Sequence, residues 1–189
     1  MKYLFVAGAL CLSAVATTAS EQSDAAAVFA QSQAAAWINH PAIVNAITAQ
    51  NQSTNLLSQA DINTLDQTWR AEVGTADAPL IASVMNNAAS EHLRTHVAEA
   101  GGRITEVFVM DARGLNVASS AITSDYWQGD EAKWIDTYMK GADAMHVSEV
   151  EFDESAQTYQ MQVSMSVTDA ASGAVIGAVT FGLDAQAFF

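Results

Sequence analysis

Apolar positions change their period about half-way along the chain. Over residues 21–59 an Ala-, Gln-, Asn- and Ser-rich background carries Val28 and Phe29, then Trp37 and Ile38, then Ile43, Val44 and Ile47 at helical spacing. Ala and Gln are good helix formers, so the stretch predicts helix. His40-Pro41 interrupts it, because a proline ring disfavours helical geometry in the residue before it. Residues 61–73 predict a shorter helix with Ile62, Leu65 and Trp69 on one face and Asp61 as N-cap. A third helix opens at Asp77-Ala78-Pro79, carries Ile81, Val84, Met85, Ala88 and Leu93, and stops at Gly101-Gly102.

From Ile104 the pattern is that of strands. Residues 104–110 form an apolar run, Asp111-Ala112-Arg113-Gly114 a tight turn and residues 115–119 a returning strand. Residues 147–152 predict another strand, and 153–157 a polar turn. Tyr159, Met161, Val163, Met165 and Val167 then alternate with Gln160, Gln162, Ser164 and Ser166, so one face is core and the other polar. A turn at 169–173 leads into a last strand over 175–183, with Gly177 and Gly182 where the backbone bends or is closely approached. Five antiparallel strands after several helices make an α+β domain.

Between the first hairpin and the third strand, Ser124-Asp125-Tyr126-Trp127-Gln128-Gly129-Asp130-Glu131 sets two large rings beside three carboxylates, and Trp134 follows one helical turn later. Stacking rings and accepting carboxylates are what a small polar ligand needs. The phrases EVFVMDARGLNVA, TSDYWQGDEAKW and VSEVEFDESAQTYQMQVSMSV resemble the PDC/Cache family of bacterial extracytoplasmic sensor domains, in particular small periplasmic proteins that carry a single such domain. The resemblance implies a PAS-like five-stranded antiparallel sheet, with residues 21–103 as its helical part and 104–189 as the sheet with its aromatic loop and helix. It also implies a small-molecule pocket beneath that loop, no catalysis, no cofactor, and signalling to a membrane sensor kinase or chemoreceptor. Cache domains often read amino acids with Tyr, Arg, Trp and Asp; this segment has no Arg, and Lys133 is its only cation after the hairpin turn.

On this reading Tyr126, Trp127 and Trp134 form an aromatic wall. Asp125, Asp130 or Glu131 meets an amine through charge-assisted hydrogen bonds. Gln162 and Ser164 line the floor, and Asp169 or Asp184 closes the sheet end. Each aromatic residue fits a core role equally well, with Trp127 and Trp134 packing the helix onto the sheet. The N-terminal helix fits a homodimer contact as well as one within its own domain. A ligand-free module that docks on a membrane kinase is the competing class.

Residues 1–20 have a secretory signal peptide's outline: Lys2, an apolar run, and small residues at Ala14-Val15-Ala16 or Thr18-Ala19-Ser20. The run is shorter than the roughly 20 residues of a membrane span. The expectation is a cleaved leader and a periplasmic protein, and the end at Phe189 implies a separate signalling partner. Cleavage removes Cys11, the only cysteine, and with it any thiol chemistry. The balance of 7 Lys and Arg against 21 Asp and Glu opposes binding to nucleic acid or anionic membrane. No nucleophile elbow, phosphate loop or His-Glu-x-x-His helix is present, and Asp125, Asp130 and Glu131 fit binding better than glycoside hydrolysis. His92 and His96 are four apart but lack a third ligand at motif spacing, so no metal is expected there. Glu149, Glu151, Asp153 and Glu154 read as a solvated strand end and not as a calcium site.

Overall fold

The computed structural model describes residues 12–153 and 157–188. Five helices come first: α1 (Leu12–Trp37), α2 (Pro41–Thr54), α3 (Gln59–Glu72), α4 (Pro79–Met85) and α5 (Ala88–Glu99). Strands β1 (Ile104–Met110) and β2 (Asn116–Ser119), the short helix α6 (Ala132–Ile135), and strands β3 (Met145–Val147), β4 (Glu151–Asp153), β5 (Thr158–Thr168) and β6 (Val175–Asp184) follow. The leader expected at 1–20 lies outside the described residues as far as position 11, Cys11 included. The backbone is helical from Leu12, through both positions considered for cleavage. Among the described residues no helix is long and apolar enough to cross a membrane.

Local chemistry moves several expected boundaries. His40 is the N-cap of α2 and Pro41 its first residue, where the missing N–H costs nothing. Ser58, not Asp61, caps α3. Asp61 sits three residues further on and completes a capping box, its carboxylate accepting from the Ser58 N–H at 2.9 Å. The helix expected from Pro79 to Gly101 is broken at Asn86-Asn87. Asn87 accepts from the Ser90 N–H at 2.9 Å and donates to the carbonyls of Val84 and Val117, giving the chain an alternative to continued helix. No side chain from the 77–79 stretch caps α4; the Glu72 carboxylate of α3 does so, accepting from Leu80 and Ile81 N–H.

All strand pairs are antiparallel, in the order β2-β1-β6-β5, with β3 and β4 both on the outer edge of β5. The strand expected over 147–152 is divided. Val147 pairs Val163 and Glu151 pairs Gln160, so the three residues between them oppose two, which is a bulge. Ser148 occupies it, its hydroxyl accepting from the Gln162 N–H at 2.9 Å. One sheet face packs Val107, Val109, Val163 and Phe181 against Ile43, Ile47 and Leu93 of the helices. A second core of Ile62, Trp69, Ile81, Val84, Leu115 and Tyr126 lies between α3, α4 and the segment after β2.

The opposite face carries the candidate site. Its apolar half, Phe108, Met110 and Ala178, is covered by Trp134 and Tyr138. Its other half, around Glu106, Gln160 and Gln162, is polar.

Candidate functional site

The β1–β2 turn fixes the frame. Asp111 is fully buried and accepts from the Thr54 hydroxyl (2.7 Å), the Gln50 amide (3.1 Å) and the N–H groups of Arg113 (2.7 Å) and Leu115 (3.0 Å). The aromatic loop is pinned onto this turn. Trp127 Nε1 donates to the Arg113 carbonyl at 2.9 Å, Gln128 N–H to the Gly114 carbonyl at 2.7 Å, and Trp134 Nε1 to the Asp111 carbonyl at 3.1 Å. Gly114 has φ +78°, and a Cβ there would stand 2.5 Å from Gly129 Cα, so both the turn and the contact require glycine.

Between loop and sheet lie two adjoining, partly open lobes that share lining residues. The inner lobe, about 50 Å³, is lined by Glu106 and Phe108 of β1, Gln162 of β5, and Thr123, Ser124, Asp125, Gln128, Lys133 and Asp153. The outer lobe, about 200 Å³, shares Lys133, Asp153 and Gln162 and adds Glu131, Ser148, Glu151, Phe152 and Gln160. Gly182 makes the floor possible. It lies between β1 and β5, paired with Glu106 on one side and Gln162 on the other. A Cβ there would approach Gln160 Oε1 to 2.7 Å and Glu106 Cγ to 2.8 Å. Without it, Gln160 Nε2 reaches across β6 and donates to Glu106 Oε1 at 3.2 Å, while Thr105 Oγ1 donates to Gln160 Oε1 at 2.6 Å.

Charges around the cavity are mostly matched. Arg70 of α3 donates to Asp125 at 3.1 Å and to Asp66 at 2.8 Å, and the amide of Gln128 also donates to Asp125. Lys133 pairs with Glu131 at 3.0 Å, donates to Gln128 Oε1 at 3.2 Å, and stands 5.4 Å over the Phe108 ring. Glu106 is only 4% exposed. Burial pushes its carboxyl above the usual range; the Gln160 bond and the Lys133 charge pull it back, while Asp153 and Asp125 push it up.

Of the residues singled out in the sequence, Asp125, Glu131 and Gln162 border this cavity. Tyr126 does not. It is buried in the second core, stacked on Trp69 with centroids 5.5 Å apart, because Asp66 accepts from the N–H groups of Tyr126 and Trp127 and turns the ring inward. Burial pushes its phenol well above the ordinary value. Trp127 and Asp130 line a groove of about 260 Å³ on the α3 side of the loop, with Arg70 and Asp125. Trp134 covers Phe108 and Met110 and stacks on Tyr138. Ser164 is buried, 2.9 Å from the Thr180 hydroxyl. Asp169 lies past the far end of β5, holding the Ala171 N–H and the Ser172 hydroxyl of its own turn. Glu154 of the acidic strand end lies outside the described residues.

Glu106 and Arg70 escaped the sequence reading for different reasons. Glu106 is the one charge in the apolar run ITEVFVM and shares a face with Phe108 and Met110, a signal that was there to be read. Arg70 is 55 residues from Asp125 and has no local signal. His92 and His96 do not project into open solvent; they form a ring stack with His40 and Trp37, at centroid distances of 4.1 Å for His40–His92 and 4.6 Å for Trp37–His96. Among the described residues no three His, Cys, Asp or Glu side chains come together as a metal site.

No family model matches the chain, and no curated protein matches it. Solved structures do. The sensor domain of E. coli DcuS is 13% identical over 88% of this chain and 94% of its own, with a TM-score of 0.49. The sensor domain of the V. cholerae histidine kinase DctB is 15% identical over 88% of this chain and 59% of its own, with a TM-score of 0.41. The ligand-binding domain of the Campylobacter jejuni chemoreceptor Tlp3, in complex with 4-methylisoleucine, is 12% identical over 93% of this chain and 62% of its own, with a TM-score of 0.41. The similarity is one of fold. The chain spans about three-fifths of the DctB and Tlp3 domains.

Proposed function

We propose that the protein is an exported sensor of the PDC/Cache type, which binds a small amine-bearing ligand between the loop and the sheet and passes the signal to a membrane partner. The observation that carries this is the cavity on the polar half of the sheet, bordered in its inner lobe by Glu106, Asp125 and Asp153 against one cation, Lys133. Such a lining favours a cationic group over a carboxylate. Lobes of about 50 and 200 Å³ suit a ligand of a few heavy atoms, below the size of drug-binding pockets. The motifs that resemble Cache domains in sequence are the same ones that build the cavity's loop, and this supports the sensor reading over an enzyme.

A thermal-shift panel tests it, with n-propylamine, tetramethylammonium, L-serine and succinate as probes. A ligand at 100 times its dissociation constant adds about 2.7 kcal/mol, or about 5–10 °C for a domain of this size. A shift confined to the amine-bearing probes is the expected result. A flat panel favours the second reading, a docking module. The observation behind that alternative is an exposed apolar edge at β4, where Phe152 and Tyr159 stack edge-on while 50% and 56% exposed.

A further inference from the structure

Of the charged groups on the wall of the inner lobe, Asp125 and Lys133 each sit in an ion pair, and Glu106 does not. Asp125 has Arg70, and Lys133 has Glu131. Both arrangements are completed by Gln128, which donates to Asp125 and accepts from Lys133. Glu106 has a single hydrogen bond, from Gln160 Nε2 to Oε1, and among the described residues no Lys, Arg or His lies within ion-pair distance of it. It is more than nine-tenths buried, and it borders the inner lobe. A carboxyl left in that position is costly to ionise unless a cation arrives. The one cation nearby is restrained from doing so, because Glu131 and Gln128 hold Lys133 over the Phe108 ring.

We infer that Glu106 is the specificity-determining residue of the site: a cationic amine enters the inner lobe, pairs with the free oxygen of Glu106, and is chosen over anions and neutral molecules by that pairing. This rests on the binding reading given above, and it moves the ligand's anchor from the loop carboxylates to the sheet floor. Gly182 belongs to the same device, since its missing side chain is what lets Glu106 and Gln160 meet over β6.

The pairing has a protonic consequence. Where Glu106 is protonated in the free protein, binding follows –COOH + R–NH₃⁺ → –COO⁻···⁺H₃N–R + H⁺, with the proton passing to solvent. An alkylamine titrates near 10.4, like Lys, and stays cationic throughout. Burial raises the free carboxyl and the bound cation lowers it, so affinity climbs with pH from the ordinary carboxylate range upward and levels off once Glu106 is ionised without ligand.

Calorimetric titration of the full chain with n-propylamine is the test, run at pH 5 and pH 7.5 in two buffers of different ionisation enthalpy. The expected result is tighter binding at the higher pH, proton release at the lower one, and at least tenfold weaker binding in Glu106→Gln, whose melting midpoint is not lowered. Lys133→Met should bind the amine more tightly, because a competing positive charge is gone. Equal binding by wild type and Glu106→Gln, or binding of succinate in place of the amine, overturns the role of Glu106 while leaving a binding cavity. Failure of n-propylamine, tetramethylammonium, L-serine and succinate alike overturns the binding reading itself.

Discussion

Asp125 and Tyr126 are adjacent in sequence and serve different cores. Asp125 borders the cavity and bonds Arg70, while the next ring is stacked on Trp69 in a dry cluster. Residue type alone could not separate them, because an aromatic side chain fits a pocket wall and a core equally; the deciding contact is Asp66, 60 residues away in sequence. Tyr126→Ala should therefore cost about 3–5 kcal/mol, as for other large-to-small core changes, measured by urea denaturation. Trp127→Ala removes a half-buried ring and one hydrogen bond and should cost less. Glu106 behaves in the opposite sense. Its folded value is raised, so its contribution to stability is fully present below the unfolded carboxylate value and is lost as pH rises through the folded one. Once ionised, the buried carboxylate is a net cost. Glu106→Gln should stabilise the unliganded protein by about 1 kcal/mol, some 2–4 °C in midpoint, while weakening amine binding at least tenfold. A lower midpoint in the variant would contradict this.

At the scale of elements, capping and pairing decide what periodicity leaves open. The apolar stripe from Ile81 to Leu93 reads as one helix, and only the bonds of Asn87 divide it. The alternation on β5 was legible because each residue type sits on the face that suits it, Val163 and Val167 inward and Gln162 toward the cavity. The bulge at Ser148 was not, since it depends on the register with β5. α2 ties the site to the rest of the molecule: Gln50 and Thr54 hold Asp111, and Asn51 accepts from the Ala112 N–H and donates to the Ile176 carbonyl. Asp111→Ala leaves those donors without their acceptor and should cost about 3 kcal/mol or more. The N-cap of α2 packs on a histidine that adds a pH dependence. His40 Nδ1 accepts from the Ala42 N–H, and its ring lies on His92. Burial chiefly, with the charges of His40 and His96, pushes His92 below its usual value; His96 itself contacts Glu99 at 3.1 Å. A depressed value means stability present above pH 6.5 and lost as pH falls through the folded value. His92→Gln should flatten the acid limb of a midpoint-against-pH curve, and an unchanged limb would place the titration elsewhere.

For the whole molecule, the helices-then-strands order was enough to reach an α+β domain with one polar sheet face. The pocket expected beneath the aromatic loop came from the resemblance, and a cavity does lie between that loop and the sheet. The inner wall was not legible, because Glu106, Gln160 and Arg70 come from three elements that meet only when β6 runs between β1 and β5 and α3 folds beside the loop. The proposed seat of the cationic amine is the sheet floor of this cavity. A crystal structure of the protein with n-propylamine tests it most directly. The amine nitrogen is expected about 2.7–2.9 Å from a Glu106 carboxylate oxygen, with Arg70 still on Asp125. An amine bound on the loop carboxylates, in the groove beside Trp127, or at the β4 edge would contradict it.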